Sequence, residues 1–435
     1  MDVIKRLYNE FVGSSGISTD TRTLKEGEMF FALSGENFNG NEFAQKAINL
    51  GASCVVTDGE FSGHNAIRVQ NCLTALQELA AFHRDKLNIP IIGITGSNGK
   101  TTTKELVFQI LDTKFRTVAT KGNLNNHIGV PLSILSISNQ TEIAVIEMGA
   151  NHIGEISFLC SMTRPTHGLI TNIGKAHLEG FGSFEGVKQA KSELYESLKS
   201  SNGVAFVNMS AEYLKDLSKS IQRKVTYEIG TNFSNLNADY NFRNESSTSG
   251  ISLTSLTAEG SEYLIESSLY GAYNVPNIAT AVTLGSYFGI TERDIATAIN
   301  TYEPANNRSQ IVQSEGKTIL LDAYNANPVS MELAIADFAE RNESKSLILG
   351  GMNELGKYAL QEHKKLLEFV AQYQWTEVIL IGKHFADLYR EFDFLWFKDV
   401  KDCQRFLEGQ KLSCESLLLK GSRSFQLELL LDYIK

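Results

Sequence analysis

The five cysteines, Cys54, Cys72, Cys160, Cys403 and Cys414, are odd in number and scattered, and no C-x-x-C occurs among them. That leaves no disulfide framework to read, and free buried thiols in a reducing cytosol are the expectation. No apolar run reaches the roughly 18 residues of a membrane span. The start, Met1-Asp-Val-Ile-Lys-Arg-Leu-Tyr8, reads as a helix and lacks the apolar core of a signal peptide. A cytoplasmic chain with no stable membrane insertion is expected. No long lysine or arginine run occurs and the net charge is −10, which argues against a nucleic-acid or membrane-surface protein. Internal repeats and low-complexity tracts are absent too.

What is present is ordinary for a soluble globular protein: 42% hydrophobic and 21% charged residues in a chain of 435. That length exceeds one core, so two to four domains are expected. An acidic protein that binds anions must neutralise them locally, with Mg²⁺ or a few placed cations.

One stretch has that capacity. Ile91-Ile-Gly-Ile-Thr-Gly-Ser-Asn-Gly-Lys-Thr-Thr-Thr103 reads as an apolar strand, a glycine-rich turn and a helix start. Gly96 and Gly99 let the backbone approach a phosphate. The N–H groups of Thr95 to Thr102 and the helix N-terminus supply donors, and Lys100 adds a full charge. Thr101 can offer a hydroxyl to Mg²⁺. Ile94 departs from the strict pattern G-x-x-x-x-G-K-S/T, which places glycine there.

Three units follow from the pattern. Residues 1–86 contain strand-like Glu28–Leu33 and Ser53–Thr57, helical spacing from Asn41 to Leu50, and a helix over Leu73–Asp85. Residues 87–303 alternate strands (Glu142–Glu147, Gly168–Thr171, Gly203–Val207) with helices (Phe184–Leu198, Pro276–Phe288). That alternation predicts a mainly parallel sheet with helices on both faces. Residues 224–270, rich in Ser, Thr and Asn, read as an antiparallel insertion. Residues 304–435 hold four strand-like runs, Thr318–Asp322, Ser346–Gly350, Glu377–Ile381 and Ser416–Lys420. They predict a second α/β sheet, without the G-x-G-x-x-G of a dinucleotide site.

Several residues stand where open α/β sheets bind ligands. Glu147 ends a strand, where a second Mg²⁺ ligand belongs if that strand lies beside the phosphate turn. His177 lies in the loop after Gly168–Thr171; alone, it reads as structural as readily as functional. Lys191 reads, on pattern alone, as a solvated helix lysine. Arg308 could hold a phosphate bidentately and Asp322 could accept from ribose hydroxyls. Asn-Ala-Asn-Pro328 alone reads as a turn.

With these residues in view, the chain resembles the Mur ligases, ATP-dependent amide-forming enzymes of peptidoglycan synthesis, over essentially its whole length. Gly93-Ile-Thr-Gly-Ser-Asn-Gly-Lys-Thr101 is similar to that family's own phosphate loop, which accounts for Ile94. Asp322-Ala-Tyr-Asn-Ala-Asn-Pro328, Gly122-Asn-Leu-Asn-Asn-His-Ile-Gly-Val-Pro131 and Ala176-His-Leu-Glu-Gly-Phe-Gly-Ser183 resemble the member that adds D-alanyl-D-alanine. The D-N-P-R motif of the member that adds diaminopimelate or lysine is absent.

The resemblance implies three α/β domains: a small N-terminal substrate domain, a central P-loop ATPase-like domain, and a C-terminal dinucleotide-fold-like domain. It implies an ADP-forming ligase that joins D-alanyl-D-alanine to UDP-N-acetylmuramoyl-tripeptide, acting as a monomer with ATP and two Mg²⁺ ions. Another amide ligase of the superfamily, folylpolyglutamate-type or diaminopimelate-adding, and a non-catalytic homologue are the alternatives. Roles carry over residue by residue. Lys100 and the loop N–H groups would hold the β- and γ-phosphates. Thr101 and Glu147 would hold one Mg²⁺; His177 and a carbamylated Lys191 would serve the other. Asn274 and Asn277 would lie near adenine, Arg308 at a phosphate and Asp322 at the ribose, with Asn325 closing the nucleotide site. Ser18, Asp20, Thr21, Arg22, Gly35 and Asn37 would contact the UDP-linked substrate, with Asn125 and Asn126 continuing that surface. Glu354, Lys420, Ser422 and Arg423 would lie toward the acceptor. The sequence departs from the family's pattern at Asn39, Asn41 and Gly351, where Asp, His and Asp are common.

Overall fold

The computed structural model describes residues 3–61, 63, 65–234, 236–245, 250–257, 260–304 and 307–434. Met1 and Asp2, quoted above, lie outside them.

Three α/β units follow one another. In the first, strands Ile17–Ser18, Met29–Phe31, Cys54–Thr57 and Ala66–Arg68 form a parallel sheet in that order. The helical spacing from Asn41 resolves into a 3₁₀ turn, Gly40–Phe43, and the helix Ala44–Asn49. Helix Cys72–Arg84 then ties this unit to the next. His83 Nε2 meets the Ile137 carbonyl at 2.8 Å, and Arg84 donates to the carbonyls of Thr163 and Arg164 at 2.8 and 3.0 Å.

The second unit is a nine-stranded sheet. From one edge its order is Glu262–Ser267, Ile251–Leu256, Tyr240–Glu245, Lys224–Gly230, Val204–Asn208, His167–Ile170, Ile91–Thr95, Ile143–Glu147 and Thr117–Ala119. Side chains alternate between two apolar layers. Ile92, Ile94, Ile143 and Val145 face helices Lys100–Leu111 and Val275–Tyr287, while Ile91, Ala144 and Ile146 belong to the layer that includes Ile156 and Leu194. Burial on both faces is why these strands read as continuous apolar runs. The expected antiparallel insertion over 224–270 is corrected: Lys224–Gly230 and Tyr240–Glu245 pair in parallel and simply extend the sheet. Ile251–Leu256 then turns back antiparallel to Tyr240–Glu245, and Glu262–Ser267 pairs antiparallel with it in turn, so it again runs with the other strands. The half-polar alternation of these edge strands comes from one solvated face.

The third unit has six strands in the order Gln310–Ser314, Lys317–Asp322, Ser416–Lys420, Lys345–Gly350, Glu377–Ile381 and Leu395–Phe397. All but the first pair in parallel. Gln310–Ser314 was not expected, since its residues are mostly polar. One apolar cluster runs through all three units, from Leu7 and Phe30 through Ile146 and Leu194 to Met331 and Leu347. Among the described residues no helix is long and apolar enough to cross a membrane.

Candidate active site

The strand Ile91–Thr95 lies between His167–Ile170 and Ile143–Glu147. The loops leaving the carboxyl ends of these three strands therefore converge, as they do at a topological switch point. They carry Lys100 and Thr101, Glu147, and His177. Strands Lys317–Asp322 and Ser416–Lys420 of the third unit run in register, so Asp322 and Lys420 end side by side. A cavity of about 790 Å³ lies between the two units.

The phosphate loop is built from two demands on glycine. Gly96 and Gly99 have φ of 145° and 76°, and a Cβ on either would collide with Thr171 Oγ1 or Asn277 Oδ1. The loop is pinned by its neighbours. Thr95 Oγ1 donates to the Met148 carbonyl at 2.8 Å, and Ser97 Oγ exchanges hydrogen bonds with Gly174 at 2.9 and 3.1 Å. The hydroxyls of Thr95 and Ser97 thus hold the loop rather than face a ligand. Lys100 Nζ donates to the carbonyls of Gly96 and Ser97 at 2.8 and 3.1 Å. Burial lowers its pKa, the Glu147 carboxylate opposes that shift, and Arg308 adds to it.

Glu147 is 1% exposed, and its Oε1 accepts from Thr101 Oγ1 at 3.2 Å and Asn125 Nδ2 at 2.7 Å. Its Oε2 is buried with no hydrogen-bond partner among the described residues. A buried carboxylate oxygen without a donor is costly unless a cation meets it. One hydroxyl and one carboxylate beside a phosphate loop suit Mg²⁺, which takes few protein oxygens and completes its shell with water and phosphate. Across the cavity, the Arg308 guanidinium lies 3.7 Å from the centre of the Tyr324 ring, and its buried Nε also has no partner among the described residues. That arrangement suits an anion.

His177 and Glu354 bring the two units together: His177 Nδ1 meets the Glu354 carboxylate, and the Glu179 N–H donates to the Glu354 carbonyl at 3.2 Å. His177 holds the Glu354 pKa below the usual carboxylate range. Both line the main cavity and a smaller one of about 310 Å³.

Lys191 corrects the reading from pattern. It is not solvated but 1% exposed, and its Nζ lies 3.3 Å from the Ala150 carbonyl and 5.1 Å from the centre of the Phe181 ring. It does not line the cavity itself, although Ala150 does. Burial pushes its pKa down to about 7, Lys100 adds to the fall, and Glu155 and Glu193 oppose it.

Asn274 and Asn277 are buried beside the loop: Asn277 Nδ2 donates to Asn274 Oδ1 at 2.8 Å and its Oδ1 accepts from Thr103 at 3.1 Å. Asp322 accepts from the Ser309 N–H at 3.2 Å and pairs with Lys420. Lys420, expected toward the acceptor, is thus spent on the residue expected at the ribose. Asn325 and Thr102 line the cavity. Asn126 does too, but its side-chain oxygen accepts from the N–H groups of Ile128 and Gly129 at 3.1 and 2.9 Å and so closes the turn that leads into the helix Gly129–Leu135. Ser422 is buried under the Asn353 N–H at 3.0 Å, and Arg423 pairs with Glu428, so neither lines the cavity.

The structure does not bring Ser18, Asp20, Thr21, Arg22, Gly35 or Asn37 to this cavity. Arg22 is bound to its neighbour Asp20, whose pKa it lowers to about 2, while Gly35 and Asn37 sit on an exposed hairpin. At position 351, a Cβ would come 2.6 Å from His384 Nδ1, so an aspartate would not fit without movement of that ring. Sequence reasoning missed Asn172, Tyr324 and Asn327. Asn172 Oδ1 accepts from the Asn98 N–H at 2.9 Å, and its place just past a central strand was the available signal.

Residues 14–84, 94–285 and 307–423 match, in order, the catalytic domain of the Mur ligase family, the Mur ligase middle domain and the Mur ligase glutamate ligase domain. The UDP-N-acetylmuramoyl-tripeptide–D-alanyl-D-alanine ligase of Bacillus subtilis is 35% identical, over 95% of this chain and 91% of that protein. The ligase of the same name from Haemophilus influenzae is 34% identical, over 98% and 94%. The crystal structure of MurF from Acinetobacter baumannii superposes with a TM-score of 0.86 at 28% identity, over 99% of this chain and 97% of that one. The chain belongs to the Mur ligase family.

Proposed function

We propose that this chain joins D-alanyl-D-alanine to UDP-N-acetylmuramoyl-tripeptide with hydrolysis of ATP to ADP and phosphate. Its likeness to ligases of that name over nearly the full length supports the substrates. The observation that carries the chemistry is Glu147, with one oxygen on Thr101 and the other without a partner among the described residues.

A carboxylate is a poor electrophile, because it is anionic and resonance-stabilised. Its attack on the γ-phosphorus of ATP forms an acyl phosphate and releases ADP. The dipeptide amine then attacks the carbonyl carbon, the C–O bond to phosphate breaks, and an amide forms. Two anions must meet in the first step. Lys100 and the loop N–H groups neutralise the β- and γ-phosphates, and Arg308 approaches from the third unit. Mg²⁺, held by Thr101 and Glu147 at one site and by His177 and a carbamate on Lys191 at the other, would supply further positive charge. Asn274, Asn277, Asp322 and Asn325 would hold the nucleoside, with Lys420 orienting Asp322. Closure of the third unit onto the second would exclude water, which would otherwise hydrolyse the acyl phosphate.

On this reading the units are 1–86, for the UDP-linked substrate, 87–303 for ATP and 304–435 for closure and the acceptor. The five cysteines, all buried and free, suit the cytoplasm.

ADP and phosphate should appear only when tripeptide, ATP, Mg²⁺ and D-alanyl-D-alanine are all present. Robust turnover of a UDP-linked dipeptide with a free diamino acid, in the same phosphate-release assay, would overturn the substrate assignment. Tyr324 offers a finer check. Tyr324→Leu removes the ring under Arg308 and should lower kcat/KM for ATP about fivefold, the order of a partly buried cation–π contact. Tyr324→Phe should stay near wild type, and equal losses in both would show that the hydroxyl, not the stacking, matters.

A further inference from the structure

Asn327 joins the third unit to the phosphate loop across 229 residues of chain. It is 7% exposed and starts the helix Pro328–Ala339. Its Oδ1 accepts from the Ser330 N–H at 2.9 Å, while its own N–H donates to Ser330 Oγ at 3.1 Å. This reciprocal cap settles which end of the amide is oxygen, since only an acceptor can face an N–H. The Nδ2 group therefore points away from the helix, and it donates to Asn98 Oδ1 at 2.6 Å.

Asn98 is held firmly on its other side. Its N–H donates to Asn172 Oδ1 at 2.9 Å, and its carbonyl accepts from Thr171 Oγ1 at 2.6 Å and Asn172 Nδ2 at 3.0 Å. The direction of the Asn98 side chain is thus tied to the shape of the loop. Beside this bond, Val329 lies over Gly174, the residue that pins Ser97; a Cβ on Gly174 would come within 3.5 Å of Val329.

We infer that Asn327 is a positioning residue for the ligase reaction: a latch that sets the third unit on the phosphate loop when that loop has its phosphate-holding shape. The inference rests on the ligase reading proposed above. It makes closure depend on loop geometry at one bond rather than on general surface contact. Loss of the bond would leave the nucleotide on the central unit but loosen the cover. Water would then reach the acyl phosphate and attack its carbonyl carbon. The C–O bond to phosphate would break, returning the carboxylate and releasing phosphate without forming an amide.

Two substitutions separate the latch from the cap. Asn327→Ser keeps a capping oxygen and removes the amide donor. Asn327→Asp keeps cap and shape but sets an acceptor against Asn98 Oδ1. The full chain is assayed with ATP, Mg²⁺, UDP-N-acetylmuramoyl-tripeptide and D-alanyl-D-alanine, and phosphate and peptide product are counted in the same samples. Asn327→Ser should lower kcat about tenfold, the order expected from a small misplacement of reacting groups, and Asn327→Asp should lower it further. The ratio of phosphate to product should rise above one, with the dissociation constant for ADP unchanged within about twofold. Asn98→Ala, which leaves the third unit intact, should behave like Asn327→Ser, and the double variant should be no worse than either. A one-to-one ratio with wild-type kcat in both Asn327 variants overturns the latch, as do additive losses in the double variant. A wild-type chain that makes no product from D-alanyl-D-alanine overturns the ligase reading, and the latch with it.

Discussion

Lys100→Ala should lower turnover about 10²-fold or more, the order expected when an electrostatic contact to a transferring phosphoryl group is lost. The ammonium is held over the loop by the carbonyls of Gly96 and Ser97, so it is placed before any phosphate arrives. The fold should survive, because Thr95, Ser97 and Asn98 pin the loop through Met148, Gly174 and Asn172, without help from Lys100. The substitution should also raise the pKa of Lys191, since Lys100 is one cause of its depression. Steady-state kinetics and a thermal melt check the first two points. Turnover near the wild-type rate would remove Lys100 from the phosphate-binding set.

The second large effect is expected at Lys191. An ammonium near a Mg²⁺ site would repel the metal, whereas a carbamate presents hard oxygen donors. Its formation needs a neutral amine to attack CO₂, and the burial of Lys191 brings its pKa down to about 7. Below that pH the group is mostly protonated and unreactive; above it the free amine dominates. Carbamate occupancy, and with it activity, should therefore rise as pH passes upward through this range in bicarbonate-containing buffer. Lys191→Ala should lose most activity yet keep nucleotide binding, because Lys100 and Thr101 are untouched. Acetate or another short carboxylate should partly restore turnover by filling the carbamate's place. Full activity of the alanine variant in CO₂-depleted buffer would sink the claim, as would density for an unmodified lysine in a well-ordered nucleotide complex.

Residues 91–103 announce a phosphate loop without any structure, because the demands on them are local. Positive φ requires glycine, a helix start supplies N–H groups, and a lysine supplies charge. The core strands were equally legible, since burial on both faces writes a continuous apolar run into the sequence. The edge strands were not. With one solvated face they mix polar and apolar residues, and nothing local tells whether a neighbour runs parallel or antiparallel. That choice depends on chain crossing over at a distance.

Lys191 and Asn327 show the same limit at single residues. One reads as a surface lysine on a helix and the other as part of a turn, because burial and hydrogen-bond partners are properties of what packs against a residue. Phe181 and Ala150 take Lys191 out of water, and Asn98 turns a helix cap into a bond between units. By itself the sequence determined the phosphate loop, the α/β class and the family, all carried by local constraints and contiguous motifs. Only the tertiary structure decided that Lys420 pairs with Asp322, that Asn327 reaches Asn98 and that, among the described residues, Glu147 keeps one oxygen without a donor. The first two are contacts between segments far apart in the chain, and the low dielectric of the interior sets the cost of the unpaired oxygen in the third.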